Sequence, residues 1–271
     1  MSRRHAGGLV GPLLRATPRE RVRHRRLRWL ADRTGALWHG ALDLVYPRRC
    51  CHCGGPVAAP EGHLCWDCRT GLAYIGDPFC SLCGDPVDGV VHHRYVCSWC
   101  VQTRPAFDQA RSAVRFRGGM RSALHVLKYQ QGAHLRHELG QMLAGAYAAC
   151  YGGAAIDAIT CVPLHPLRER TRTYNQSALL AAELARLIGL PCCPRLLMRT
   201  RDTATQTLLS AHERKQNVRG AFEGALPESI RSRRFLLVDD VMTTGATVDA
   251  ASRALKRSGA AAVYVLTLAR G

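Results

Sequence analysis

Residues 235–247 read FLLVDDVMTTGAT. Four apolar residues run straight into two adjacent carboxylates, Asp239 and Asp240, and Thr243, Thr244, Gly245 and Thr247 follow at once. A short apolar run of this kind suits a buried strand. The next stretch, TVDAASRALKRSGA, is patterned as a helix with Gly259 just past its end. The segment therefore reads as a strand handing over to a helix that begins near Thr247. In an open parallel sheet, ligands bind beyond the carboxyl ends of the strands. A helix N-terminus offers backbone N–H groups and a positive dipole end to an anion. Gly245 lets the backbone come close to a phosphate, and the threonines add hydroxyl donors. One loop thus combines acceptors for a diol with donors for a phosphate, which is the pairing a ribose 5-phosphate needs.

The same alternation of strand and helix continues outward. FDQARSAVRFRG alternates like a strand, and residues 118–150 read as one or two helices interrupted near Gly132. IDAITCVPL is a strand ending at Pro163, NQSALLAAELARLIG is an amphipathic helix stopped by Gly189, and AVYVLTLAR is a final strand. Strands alternating with helices imply an α/β fold, a parallel sheet flanked by helices.

Upstream, the composition changes. Nine of the thirteen cysteines fall between Cys50 and Cys100, in four C-x-x-C pairs: Cys50/Cys53, Cys65/Cys68, Cys80/Cys83 and Cys97/Cys100. Each pair turns two sulfurs toward one point, and two pairs make a tetrahedral shell, so two structural zinc ions are expected. Gly54 and Gly84, just after the first and third pairs, suit the tight turn of such a knuckle. Sequential pairing is the expectation, with cross-braced pairing the alternative. Cys51 is a spare thiol that could replace Cys50, and His52, His63, His92 and His93 lie near enough to substitute. Cys150, Cys161, Cys192 and Cys193 lack such spacing and read as small core residues. Residues 48–104 are too poor in apolar runs to build a large core, so the metal is expected to hold them as a unit apart from the sheet. The domain plan is a basic arm at 1–34, a short amphipathic helix and a double zinc ribbon at 35–104, and the α/β domain at 105–271.

The chain has 271 residues and a formal net charge of +18. Residues 1–49 carry a net +9, half of it, concentrated in RERVRHRRLRWLADR. Such an arm is either a nucleic-acid-binding tail or a solvated extension. No run approaches the roughly 20 apolar residues of a membrane helix, and no secretory leader is recognisable. A cytoplasmic protein with thiolate metal sites is the expectation.

A second block, CVPLHPLRERTRTYNQSALLA (161–181), sets Arg168, Arg170 and Arg172 in a loop ahead of a helix. Guanidinium forks grip phosphate oxygens two at a time.

Resemblance now adds to these readings. FLLVDDVMTTGAT resembles the phosphoribosyl pyrophosphate motif of type I phosphoribosyltransferases throughout its length. The 161–181 block resembles the "VPLH…R…RGFNQ…LA" signature of the ComF (GntX) family. RDTATQTLLSAHERKQNVRGAF is similar to a further stretch of that family through Thr205, Gln206, Leu209, Arg214, Asn217 and Phe222, and LHVLKYQQG to another, with Lys128 a candidate phosphate contact. The family also carries an N-terminal zinc-binding segment. The resemblance covers residues 35–271 and implies a type I phosphoribosyltransferase fold. It departs at one point: the family commonly has glycine where this chain has Thr173.

By this resemblance Asp239 and Asp240 hold the ribose hydroxyls, and Thr243, Thr244, Gly245, Ala246 and Thr247 wrap the 5′-phosphate. Arg168 and Lys128 contact the ligand, and Arg170 and Arg172 assist departure of pyrophosphate with Mg²⁺ as cofactor. A carboxylate found in 6-oxopurine-salvage relatives is replaced by Thr243, which argues against that substrate class. The resemblance further implies a link to DNA uptake, with single-stranded DNA or other competence proteins as partners. Three functions follow: transfer of the phosphoribosyl group, sensing of phosphoribosyl pyrophosphate without transfer, and a non-catalytic role handling single-stranded DNA in transformation.

Overall fold

Phe235, Leu236, Leu237 and Val238 are fully buried, because their strand has a neighbour on each side and helices on both faces. The computed structural model describes residues 48–57, 62–91, 94–201, 218 and 220–271. The basic arm, the helix expected at 35–47, His92, His93, and Thr205, Gln206, Leu209, Arg214 and Asn217 lie outside the described residues.

In chain order, two short helices, α1 (Trp66–Thr70) and α2 (Ser98–Thr103), sit in the cysteine-rich part. Then come β1 (Gln109–Arg115), α3 (Gly118–Tyr129), α4 (Arg136–Tyr151) and β2 (Ala158–Cys161). Next are α5 (Pro166–Arg172), α6 (Gln176–Ile188), β3 (Leu197–Arg199) and β4 (Phe222–Gly224). The chain finishes with α7 (Pro227–Ile230), β5 (Arg234–Met242), α8 (Ala246–Arg257) and β6 (Ala262–Arg270). The main sheet has the order β1-β6-β5-β2 and every pairing in it is parallel. The break near Gly132 is a single 3₁₀ turn between α3 and α4. Two features differ from the sequence reading. The arginine block forms the helix α5, begun by Pro166, rather than a loop. A small antiparallel pair, β3 with β4, carries no periodicity that sequence could reveal.

Side chains alternate across β5 and β6, as the strand period requires. Leu236, Val238, Leu266 and Leu268 join Leu124, Leu139, Leu143, Leu180 and Leu184 from α3, α4 and α6 on one face. Phe235, Leu237, Val263 and Val265 join Val248, Ala251 and Leu255 of α8 on the other. The expectation of a sheet covered on both sides is met.

The cysteines form two quartets, Cys50-Cys53-Cys65-Cys68 and Cys80-Cys83-Cys97-Cys100, with the sulfurs of each within 4.8 Å of one another. The Sγ–Sγ separations are 3.6 Å for Cys53–Cys65, 3.8 Å for Cys80–Cys100 and 3.7 Å for Cys83–Cys97. A tetrahedral ion with Zn–S bonds of about 2.3 Å has edges of about 3.8 Å, so both quartets fit zinc. Pairing is sequential. Cys51 stands outside the quartet, His52 is hydrogen-bonded to Ser122, and His63 faces Glu138.

These ribbons do not stand apart from the sheet. Residues 49–271 form one compact unit. The segment between the ribbons runs antiparallel along the outer edge of β1: Ile75 N–H donates to Ala113 O (3.0 Å), Arg115 N–H donates to Ala73 O (2.8 Å), and Tyr74 pairs with Val114. Ala110 N–H donates to Leu82 O at 2.7 Å. The approach is tight at Gly84 (φ +67°), where a Cβ would lie 2.6 Å from Ala110 O. Leu64 and Leu72 enter the first apolar cluster, and the four sulfurs of the second quartet enter the other. Zinc removal would therefore strip β1 of its cover as well as dissolve the ribbons. Structural zinc is worth about 10–16 kcal/mol in small domains, as much as or more than the stability of a typical fold. A strong chelator is expected to unfold residues 49–271 in one transition. Coincident loss of helical circular dichroism and gain of titratable thiols checks this; ribbons that melt while the helices persist would show the opposite.

Candidate ligand-binding cleft

Asp239 and Asp240 are the sixth and seventh of the nine residues of β5 and are only 7% and 5% exposed. The strand continues two residues past them to Met242 before the chain turns. Two buried adjacent carboxylates are costly unless each finds partners. Asp239 Oδ1 accepts from Ser177 Oγ (2.8 Å) and from Asp240 N–H (2.9 Å). Asp240 Oδ1 accepts from Val241 N–H (2.7 Å), and its Oδ2 is 2.6 Å from Lys128 Nζ. Burial, followed by the charge of Asp240, still pushes the Asp239 carboxyl well above the usual carboxylate range.

Each partner is delivered by its own element. Lys128 sits in the last turn of α3. That turn is anchored where Tyr174 donates its hydroxyl hydrogen to Leu127 O. Asn175 caps α6, its Oδ1 accepting from Ser177 N–H and Ala178 N–H, while its Nδ2 donates to Val162 O at the exit of β2. This double tie points Ser177 at Asp239. Gln176 Oε1 accepts from Arg172 Nη1 at 3.2 Å. The Tyr-Asn-Gln-Ser run is therefore a set of four separate anchors around the acidic pair. The sequence reading passed over Ser177 and Gln176, because their role depends on β5 and α5 opposite.

A cleft of about 220 Å³ opens over the carboxylates. Its walls carry Lys128, Arg168, Arg172 and Arg199 together with Asp239 and Asp240, and also Thr243, Thr247 and the half-buried Phe116. Four cations against two carboxylates leave an excess of positive charge, which selects a polyanion that also presents hydroxyls. Arg168 and Arg172 are four apart on α5 and so share one face. Arg170, two residues from each, is exposed and does not line the cleft. Arg199 is a further cation that the sequence reading did not single out; it is buried, with its guanidinium 5.4 Å from the Phe222 ring.

At the far end of the cleft the chain turns through Gly245, whose φ of +78° is the left-handed region that suits glycine. Gly245 is also the N-cap of α8 and brings no side-chain cap to the helix. The only acidic side chain in the first turn, Asp249, accepts instead from Ala106 N–H at 2.7 Å. Thr243 and Thr247 face the cleft, while Thr244 and Ala246 line a neighbouring cavity. Ala246 N–H, the first of the helix, donates to Thr244 Oγ1 at 3.4 Å, and the turn sets the positive end of the α8 dipole beside Thr243 and Thr247 of the cleft.

Residues 41–101 match the double zinc ribbon domain and residues 175–271 match the phosphoribosyl transferase domain. The latter match begins at Asn175, so the segment bearing Lys128, Arg168 and Arg172 precedes it. The chain is 33% identical over 230 residues to DNA utilization protein YhgH of Escherichia coli K12, covering 84% of this chain and 99% of that protein. It is 30% identical over 226 residues to Competence protein F of Haemophilus influenzae, covering 82% and 96%. Competence protein ComFC of Bacillus subtilis is 27% identical over 222 residues, covering 78% and 85%.

Thr173 explains the departure noted in the sequence. It ends α5 with φ +68° and ψ −18°, in the left-handed region. A β-branched residue there carries a penalty of about 1–2 kcal/mol that glycine avoids. Glycine at this position serves the backbone turn. Thr173→Gly is expected to raise unfolding free energy by about 1 kcal/mol, after allowing for the greater freedom of glycine in the unfolded chain. Denaturant titration with an unchanged slope checks it.

Proposed function

Since the chain belongs to the ComF family of competence and DNA-utilization proteins, we propose that its cleft binds phosphoribosyl pyrophosphate with Mg²⁺ and passes on the phosphoribosyl group. The observation that carries this reading is the convergence in one cleft of two buried carboxylates and four cations, beside the N-terminus of α8. A ribose diol would take Asp239 and Asp240, its 5′-phosphate the 243–247 turn, and its diphosphate Lys128, Arg168 and Arg172. Mg²⁺, bound with the ligand, would supply charge neutralisation at the diphosphate, and hard carboxylate oxygens suit it. In transfer, the bond from the anomeric carbon to the diphosphate oxygen breaks and one to the acceptor forms. Charge that builds on the departing diphosphate meets the guanidinium groups of Arg168 and Arg172. The α/β part, 105–271, is proposed as the ligand-binding unit. All thirteen cysteines are free of disulfides, which accords with a reducing, cytoplasmic setting. No described helix is long and apolar enough to cross a membrane.

A second reading, a non-catalytic protein that holds single-stranded DNA, is favoured by the mouth of the cleft and by the names of the relatives. Tyr129 is 57% exposed there, with the Arg172 guanidinium 5.1 Å from its ring centroid. Lys128, Arg168 and Gln131 line the same space of about 430 Å³. An aromatic face beside cations is what an unpaired base stacks on. Pyrophosphate release in the presence of a panel of nucleobases and nucleotides favours transfer. Salt-dependent oligonucleotide binding with no release favours the second reading.

Asp239→Asn combined with Asp240→Asn is expected to weaken binding of phosphoribosyl pyrophosphate with Mg²⁺ by about 100-fold, or roughly 2.7 kcal/mol, while circular dichroism stays unchanged. Calorimetry decides this, and equal affinity in the variant removes the reading. The raised Asp239 carboxyl adds a pH signature. In the free protein it keeps its proton above the ordinary value of about 3.9, and a ligand held by two carboxylates displaces that proton. Affinity is expected to fall as pH drops below the raised value. Calorimetric heats in buffers of different ionisation enthalpy should show proton release in that window.

A further inference from the structure

The turn that faces the cleft is backed by a tryptophan from the second zinc knuckle. We propose that Trp99 is a positioning residue for the 243–247 turn, so that zinc in the second ribbon and the phosphoribosyl ligand strengthen each other's binding. The ligand half of this statement rests on the reading of the cleft above; the positioning half does not.

Trp99 is one of the two residues between Cys97 and Cys100, and both of these cysteines are buried members of the second quartet. Its place would therefore be set by Cys97 and Cys100 when a zinc ion fills the quartet. The indole lies against Gly245: a Cβ there would meet Trp99 Cη2 at 3.1 Å, Cζ2 at 3.5 Å and Met242 Cε at 2.8 Å. Gly245 is thus fixed by its left-handed φ and walled in by Trp99 and Met242.

The ribbon and the residues just after it touch the elements at both ends of the turn. Beyond α2, Ala106 N–H donates to Asp249 Oδ1, and Arg104 O accepts from Arg253 Nη2 at 3.2 Å, both on α8. At the strand side, Asp85 of the ribbon accepts from Arg270 Nε at 2.9 Å, while Gly271 N–H donates to Met242 O at 3.1 Å. Beside the indole is a cavity of about 280 Å³ lined by Trp99, Thr103, Thr243, Thr244 and Asp249. A turn released from Trp99 has that space to move into. Thr243 lines both this cavity and the ligand cleft, so a displacement on the ribbon side alters the ligand side.

A row of backbone N–H groups grips a phosphate only while their spacing is held, and holding it in advance removes an ordering cost from binding. Whatever binding at one site gains from the other is gained equally in reverse. The first ribbon offers an internal control: Trp66, between Cys65 and Cys68, is 77% exposed and backs nothing in the cleft.

The experiment uses the full zinc-loaded chain and compares Trp99→Ala, Trp99→Phe and Trp66→Ala. Without ligand, hydrogen exchange of peptides spanning 242–249 is expected to quicken about tenfold or more in Trp99→Ala. It should be partly restored in Trp99→Phe and stay as wild type in Trp66→Ala, with two zinc ions per chain and unchanged protection of 235–238 throughout. Should Trp99→Ala lose zinc, Trp99→Phe carries the comparison at lower amplitude. With ligand, Trp99→Ala is expected to bind phosphoribosyl pyrophosphate with Mg²⁺ about tenfold more weakly, and the ligand should slow zinc release from one of the two sites in wild type. Wild-type exchange of 242–249 in a zinc-loaded Trp99→Ala chain overturns the positioning role. Loop release in that variant, together with a wild-type chain that takes up no phosphoribosyl pyrophosphate, upholds positioning and overturns the ligand reading instead.

Discussion

Burial of residues 235–238 between β6 and β2 decides where the chain is allowed to turn. With helices on both faces and strands on both sides, β5 offers no exit until it clears its neighbours. The acidic pair therefore falls inside the strand, out of water, and the turn through Gly245 follows at the carboxyl end of the sheet. Every other element of the cleft is placed by reference to that strand. Asn175 ties the start of α6 to β2 so that Ser177 meets Asp239, and α3 ends where Lys128 reaches Asp240. A pair of desolvated carboxylates offsets its own cost only through such partners. An apolar pair would stabilise the same strand at less expense, which is what marks the acidic pair as a candidate site.

Much of this was legible in the residues. The alternating run around 109–115, the apolar run at 262–270 and the helical patterns at 176–188 and 246–257 are local signals, and all four elements form. Cysteine spacing pointed to two quartets paired sequentially, and the structure forms them so. What stayed hidden has a common physical origin. The β3–β4 pair is three residues long on each side, too short for a period to register. The segment at 73–75 pairs with β1 through backbone groups, which any sequence carries, so nothing in its side chains announced the contact. Arg168 and Arg172 separate from Arg170 only once the block is known to be a helix. Ser177 acquires meaning from Asp239, 62 positions away.

The two ribbons look alike in sequence but lean on different neighbours. The first rests on α4, where Glu138 Oε2 accepts from His63 N–H at 2.8 Å, and contributes Leu64 and Leu72 to the cluster beneath α3 and α4. The second rests on β1 and on the start of α8, and its sulfurs sit in the cluster on the opposite face. Between them they straddle the edge of the sheet, so the metal sites bear on the same sheet that carries the cleft.

That arrangement has a consequence for a newly made chain. Until zinc closes the knuckles, β1 presents its outer row of N–H and C=O groups to the solvent, flanked by buried-type residues such as Val114 and Ala113. Bare strand edges recruit other strands, including those of identical chains. Metal scarcity would thus be felt as clumping of nascent molecules and a lower yield of folded protein.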